Sequence, residues 1–224
     1  MRLLGRAIDA VLFDLDGTLV DSAPDLVAAM QRLCRELAQA DPDAVAVRSV
    51  VSKGGRAMLR RGLPGLDDTR YEELLPRFLD IYAADIAALS RPFDGVEALI
   101  AAIEARGARW GVVTNKPGWL ARPLLDRLGW AQRSAALVSG DCLSVRKPDP
   151  APVLRACELA GVAPQRCVYV GDDRRDIDAG RAAGLLTVAA AWGYLDGEDP
   201  HAWRADWVAA SADELHRALQ SEAA

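Results

Sequence analysis

Short runs of consecutive apolar residues alternate along this chain with longer stretches in which apolar positions recur every three or four residues. The runs lie at residues 10–13, 110–113, 135–138, 167–170 and 187–191. Uninterrupted apolar runs of this length fit strands buried on both faces. Residues 119–128, 150–160 and 173–183 carry the helical period, and each is followed by a glycine, Gly129, Gly161 and Gly184. A helix commonly ends on a left-handed residue at that position. Asp94, with Glu97 three residues on, predicts a capping box that opens a further helix with Val96, Leu99, Ile100 and Ile103 on one face. Alternating strand and helix predict an α/β fold, a parallel sheet with helices on both faces.

From residue 20 to 90 the alternation stops. Pro24 stands where the first turn of a helix accepts proline, and Leu26, Val27, Met30, Leu33, Cys34 and Leu37 then line one face. Helical periodicity resumes over 71–89, and a turn at Arg91 and Pro92 returns the chain to the sheet. The expected organisation is a discontinuous α/β core, 1–19 and 91–224, with an all-helical cap, 20–90, inserted after the first strand.

Composition narrows the class. The chain has 224 residues, 51% of them hydrophobic and 26% charged, which is enough to bury a core without disulfides or metals. Lys and Arg number 27 against 32 Asp and Glu, a net charge of −5, which argues against a nucleic-acid binder that works through a broad positive field. No stretch approaches the ~18 apolar residues of a membrane helix. Asp9 and Asp14 interrupt any signal-peptide core, so a cytoplasmic location is expected. Cys34, Cys142, Cys157 and Cys167 lack metal-ligand spacing and read as packing residues. With only His201 and His216 available, the chemistry falls to carboxylates.

Those carboxylates follow the apolar runs. The first run ends in Asp14, then Asp16-Gly17-Thr18; the second in Thr114-Asn115. Arg146-Lys147-Pro148 comes after the third, and the fourth ends in Gly171-Asp172-Asp173, with Asp176 next. Ligands of open parallel sheets bind beyond the carboxyl ends of the strands, so four separated segments are expected to meet in one crevice. Carboxylates gathered there need neutralising, and a hard divalent cation such as Mg²⁺ does so through oxygen ligands. A lysine and a hydroxyl beside it suit a phosphate. Singly, each motif has a plainer reading as a turn, a strand-end hydroxyl, a solvated lysine or first-turn carboxylates; their joint order favours a site. Lys53-Gly54-Gly55-Arg56 reads either as a solvated interhelical loop or as a specificity loop over the crevice.

Asp14-Leu15-Asp16-Gly17-Thr18, Thr114, Lys147 and Gly171-Asp172-Asp173-Arg174-Arg175-Asp176 resemble the four ordered motifs of the haloacid dehalogenase superfamily. The resemblance spans essentially the whole chain, with the helical insert in place of that family's first cap domain. Thr114-Asn115-Lys116-Pro117 and Lys147-Pro148-Asp149-Pro150 resemble the phosphoglycolate phosphatase branch; the 110–117 run and Trp192-Gly193-Tyr194 resemble N-acetylmuramic acid 6-phosphate phosphatases.

The resemblance implies a Rossmann-like core and a Mg²⁺-dependent phosphatase acting on a small phosphorylated metabolite, phosphoglycolate or N-acetylmuramic acid 6-phosphate. Asp14 is then the nucleophile that forms an aspartyl-phosphate, and Asp16 the acid and base. Mg²⁺ is held by the Asp14 carboxylate, the Asp16 carbonyl and Asp172. Thr114, the Asn115 backbone and Lys147 hold phosphate oxygens, and Asp173 and Asp176 either orient these groups from behind or add a contact to the metal. Many relatives carry Ser or Thr where Asp173 stands. Lys53, Gly55 and Arg56 are the expected specificity residues. Asp16 favours an oxygen leaving group over a halide. A phosphomutase of the β-phosphoglucomutase type remains open, as does a non-catalytic phospho-acceptor module, although Asp16 and the long insert speak against the latter. No P-loop motif is present.

Overall fold

In the computed structural model, which describes residues 1–221, the five apolar runs pair side by side. The chain opens with a small hairpin, β1 (Arg2–Leu3) against β2 (Arg6–Ala7). The first run follows as β3 (Ala10–Phe13). Next come β4 (Val20–Asp21), the helices α1 (Ala23–Glu36), α2 (Ala44–Ser49), α3 (Gly55–Gly62) and α4 (Asp68–Ala84), and β5 (Arg91–Pro92). Helix and strand then alternate: α5 (Val96–Ala105), β6 (Arg109–Val113), α6 (Gly118–Arg127), β7 (Ala136–Val138), α7 (Ala151–Ala160) and β8 (Cys167–Gly171). The chain closes with α8 (Arg174–Ala182), β9 (Leu186–Ala190), β10 (Trp207–Ala209) and α9 (Ala212–Ser221).

The main sheet has six strands in the order β10-β9-β8-β3-β6-β7, all parallel. The two-residue period of a strand divides the runs between two apolar cores. Val11 and Phe13 face α5, α6 and α9 through residues such as Leu99, Leu124 and Leu215. Ala10 and Leu12 face α7 and α8 through Val153, Ala156 and Ala179. Register then places the site. Phe13 is level with Val112 on one side and Val170 on the other, so Asp14, Thr114 and Asp172 leave the sheet at one edge.

The helical segment leaves and returns through one neck, the antiparallel pair β4–β5, with Val20 opposite Pro92 and Asp21 opposite Arg91. Its helices share an apolar cluster that includes Leu26, Met30, Leu59, Phe78 and Tyr82, and Leu120 and Tyr194 join it from outside.

Several expectations change in detail. No capping box forms at Asp94 and Glu97. The N-cap of α5 is Gly95 in a left-handed conformation (φ 81°), and Glu97 instead accepts from Trp130 Nε1 at 2.7 Å and from Arg133. A box does form at Asp173 and Asp176, opening α8. Helix α4 stops at Ala84 instead of running to 89, and the Asp25 carboxylate accepts the Leu89 and Ser90 amides, both at 2.8 Å. The strand β10 and the short pairs β1–β2 and β4–β5 have no counterpart among the predicted runs. Cys142 is exposed, whereas the other three cysteines are buried. Among the described residues, no helix is long and apolar enough to cross a membrane.

Candidate active site

At the shared strand edge, carboxylate oxygens of Asp14, Asp172 and Asp176 lie within 4.8 Å of one another, and all three residues are buried. Lys147 enters from the loop after β7. Its Nζ donates to Val113 O (2.9 Å), Tyr169 Oη (2.9 Å) and Asp176 Oδ1 (2.7 Å). Asp14 Oδ1 sits 2.8 Å from the same Nζ as an ion-pair partner; it is buried and has no other partner among the described residues. Burial pushes the Asp14 carboxyl up to about 8; Lys147 opposes that shift, and Asp176 and Asp172 add to it. Burial also works against the Lys147 charge, but Asp14 and Asp176 outweigh it and raise its pKa.

Asn115 fixes where Lys147 stands. Its amide donates to Lys147 O (3.0 Å) and its carbonyl accepts from Lys147 N (3.1 Å). The peptide bond that follows, Lys147–Pro148, is cis. Thr114 Oγ1 accepts from Lys116 N at 3.1 Å, which folds the turn after β6 over the strand end. The expected phosphate-binding residues thus converge, with the Asn115 side chain spent on a clasp.

Asp172 lies in a fitted cradle. It accepts from Thr18 Oγ1 (2.7 Å), Ser52 Oγ (2.7 Å) and the Tyr194 amide (2.9 Å). Burial pushes it up to about 7, with Asp176 adding to the shift and these hydrogen bonds opposing it. A Cβ on Gly17 or Gly193 would collide with this carboxylate, so both positions require glycine. Hard oxygen donors clustered on Asp14, Asp172 and Asp176, with the Asp16 carbonyl linked to Asp172 through Ser52, fit a small divalent cation such as Mg²⁺. Asp176 stands inside the carboxylate cluster as well, its Oδ1 accepting from Lys147 and its Oδ2 from Asp173 N at 3.1 Å.

Asp16 points the other way, into the cavity. Ser22 Oγ donates to its Oδ1 (2.5 Å), and Lys116 Nζ bridges both oxygens at 3.0 and 3.1 Å. Lys116 is buried over the face of Tyr82, 4.4 Å from the ring centre. Ser22, Ser52 and Lys116 were not among the predicted site residues. For Lys116 the signal was present, as the third residue of Thr114-Asn115-Lys116-Pro117.

Four of the expected residues are committed to contacts within the protein. Asp173 turns away from the carboxylate cluster: it caps α8 by accepting Arg175 N (2.9 Å) and pairs with Arg175 Nε (2.8 Å) and Lys53 Nζ (3.2 Å). Burial would raise its pKa, but Arg175 outweighs it and holds the carboxyl at about 2. Lys53 also pairs with Glu198 (2.6 Å), and Arg56 with Glu72 (2.6 Å). Both cations line the cavity, yet protein carboxylates already neutralise them. Gly55 begins α3 against Leu75, where a Cβ would come within 2.8 Å. With Arg175 Nη2 donating to Ser52 O (2.6 Å), Lys53 ties the helical segment to the start of α8.

The cavity over Asp14 and Asp16 measures about 400 Å³. Its floor is the strand edge and its roof comes from α1, α3 and α4.

Known proteins match this chain along most of its length. The model of haloacid dehalogenase-like hydrolases matches residues 8–184. A phosphoglycolate phosphatase of Xanthomonas campestris pv. campestris is 50% identical over 198 residues, 88% of this chain and 90% of that protein. An N-acetylmuramic acid 6-phosphate phosphatase of Pseudomonas aeruginosa is 47% identical over 210 residues, 93% of each. The crystal structure of a predicted phosphoglycolate phosphatase from Haemophilus somnus superposes with a TM-score of 0.85 at 26% identity, covering 95% of this chain and 98% of that one. Ordered motifs, strand-edge carboxylates and relatives agree: the chain belongs to the haloacid dehalogenase-like hydrolase family.

Proposed function

We propose that this hydrolase is a Mg²⁺-dependent phosphatase that cleaves the phosphomonoester of a small metabolite through an aspartyl-phosphate on Asp14. One observation carries the reading. Asp14 Oδ1 lies 2.8 Å from the Lys147 ammonium and has no other partner among the described residues, so the carboxylate stands beside a fixed positive charge on the floor of the cavity. Lys147 favours the ionised, nucleophilic form, although burial pushes Asp14 upward.

The Asp14 carboxylate, the Asp16 carbonyl and Asp172 hold the metal. Bound there, Mg²⁺ neutralises the carboxylates and supplies Lewis acidity toward the phosphoryl oxygens. Thr114, the Asn115 backbone and Lys147 receive those oxygens as charge redistributes. Asp14 attacks the phosphorus, and Asp16 gives a proton to the departing alkoxide. Asp16 then takes a proton from the water that attacks the aspartyl-phosphate, which frees Asp14. Asp176 keeps Lys147 in place and Asp173 anchors the start of α8; neither touches the substrate.

The segment from 20 to 90 acts as a cap on the core formed by 1–19 and 91–224, and excludes water from the cavity. The candidate substrates are phosphoglycolate and N-acetylmuramic acid 6-phosphate, the compounds in the names of the relatives. Phosphate release from a panel of phosphorylated metabolites, with Mg²⁺ and with EDTA, tests the proposal. Metal-dependent release is expected from at least one compound; no release from any, or release indifferent to EDTA, contradicts it.

A further inference from the structure

Asp172 is held from the helical segment as well as from the core. Ser52 lies between α2 and α3, yet its hydroxyl reaches Asp172 Oδ2 at 2.7 Å and the Asp16 carbonyl at 3.2 Å. Its backbone carbonyl accepts from Arg175 Nη2 at 2.6 Å, and the next side chain, Lys53, pairs with Asp173 at 3.2 Å. Two consecutive residues of the segment are thus pinned to the turn that carries Asp172. The neck makes a second connection to the same oxygen. Tyr194 N donates to Asp172 Oδ2 at 2.9 Å, while the Tyr194 hydroxyl donates to Asp21 Oδ1 (2.6 Å) and accepts from Ala23 N (3.0 Å). Asp21 belongs to the β4–β5 neck, and Arg48 of α2 pairs with it at 2.8 Å. Both donors to Asp172 Oδ2 are therefore fastened to the helical segment or to its neck. Among the described residues, only Thr18 Oγ1, which donates to Oδ1 at 2.7 Å, holds this carboxylate from the core alone.

Hydrogen-bond partners that orient a metal ligand are commonly worth about 10- to 100-fold in metal affinity. Here one such partner belongs to the part of the chain that covers the site. When the segment swings about its neck, Ser52 leaves and Asp172 Oδ2 loses one of its two donors. We propose that the helical segment completes the metal site: Ser52, assisted by Tyr194, holds Asp172 in the orientation that takes Mg²⁺, so that metal binding and closure of the segment favour each other. Ser52 is a positioning residue, since it acts through Asp172 and not on the substrate. The coupling runs both ways: the factor that closure adds to Mg²⁺ affinity is the factor that Mg²⁺ returns to closure. The inference rests on the metal-dependent reading above and adds to it the route by which the metal governs the cap.

Calorimetric titration of the full-length protein with Mg²⁺ alone, without substrate, tests the inference. Ser52→Ala is expected to weaken binding about 10- to 100-fold, and Ser52→Thr, which keeps the hydroxyl, to stay within about threefold of the wild type. Tyr194→Phe removes only a hydroxyl that does not touch Asp172, and is expected to weaken binding by a smaller factor, about threefold. A cooperative melt in EDTA confirms the fold of each variant. Hydrogen exchange reads the reverse direction. The Lys53 and Gly54 amides donate to Val50 O and Val51 O, and Mg²⁺ should slow their exchange about tenfold in the wild type but not in Ser52→Ala. Unchanged affinity in Ser52→Ala, or wild-type exchange indifferent to Mg²⁺, overturns the inference and leaves the phosphatase reading standing. Unchanged affinity in Tyr194→Phe overturns the part assigned to the neck. A wild type that binds no Mg²⁺ overturns both the inference and the metal-dependent reading.

Discussion

Lys116 Nζ bridges the two carboxylate oxygens of Asp16, at 3.0 and 3.1 Å, while packed against the Tyr82 ring. A buried ammonium stacked on an aromatic face and held by its own carboxylate has little freedom to move. It therefore fixes the rotamer of the residue proposed to move the leaving-group proton. Removing it leaves the Asp16 carboxylate without its cation and held by the Ser22 hydroxyl alone. Lys116→Met is expected to lower kcat about 10- to 100-fold with a smaller change in KM, since general acid–base catalysis is worth about 10²–10⁴-fold. Lys116→Arg should recover part of the loss. Steady-state kinetics of the two variants check this; a KM effect alone speaks against a role through Asp16.

Metal and pH are linked at Asp14 and Asp172. Their carboxyls are held at about 8 and about 7, chiefly by burial, against an ordinary value of 3.8. Without metal the folded protein retains protons that the unfolded chain releases. Stability present below the ordinary value is therefore lost as pH rises toward 7 and 8. Metal binding needs the ionised carboxylates, so the stabilisation by Mg²⁺ grows in the same direction. The melting temperature in EDTA should fall between about pH 5.5 and about pH 8, and the increase on adding Mg²⁺ should be larger at the higher pH. A metal-free protein that becomes more stable across this range contradicts the account.

Asp173 offers a structural test separate from the chemistry. It caps α8, completes a capping box with Asp176 and pairs with Lys53 and Arg175. Asp173→Ala should cost about 0.5–2 kcal/mol, the usual value of a lost N-cap, read by urea unfolding. Asp173→Asn keeps a capping oxygen and should retain most of that stability. Equal losses in the two variants place the contribution in the ion pairs instead.

The core was legible because its strands are buried on both faces and therefore read as unbroken apolar runs. β10 was not: Trp207 and Val208 are only half-buried at the sheet edge, and three residues give no period. The Asp94–Glu97 box failed through tertiary contacts. Trp130 and Arg133 claim Glu97, and Gly95 caps the helix with its left-handed backbone alone. At the site, Asp14, Asp172 and Lys147 were readable because each follows a strand. Lys116 stands in the Thr114-Asn115-Lys116-Pro117 run, but its pairing was not readable, since its partner Asp16 is 100 positions away and nothing local requires the pair. The Lys53–Arg56 stretch reads as cationic until folding brings Glu198 and Glu72 to it.

The account stands most directly on Asp14. Rapid acid quenching of the Mg²⁺-loaded protein mixed with a ³²P-labelled substrate should trap a hydroxylamine-sensitive acyl phosphate on the peptide that contains Asp14. No label should appear with EDTA or in Asp14→Asn, whose turnover should fall by at least about 10⁴-fold. Phosphate release with no protein-bound label, together with an Asp14→Asn variant that keeps most of its activity, would contradict it.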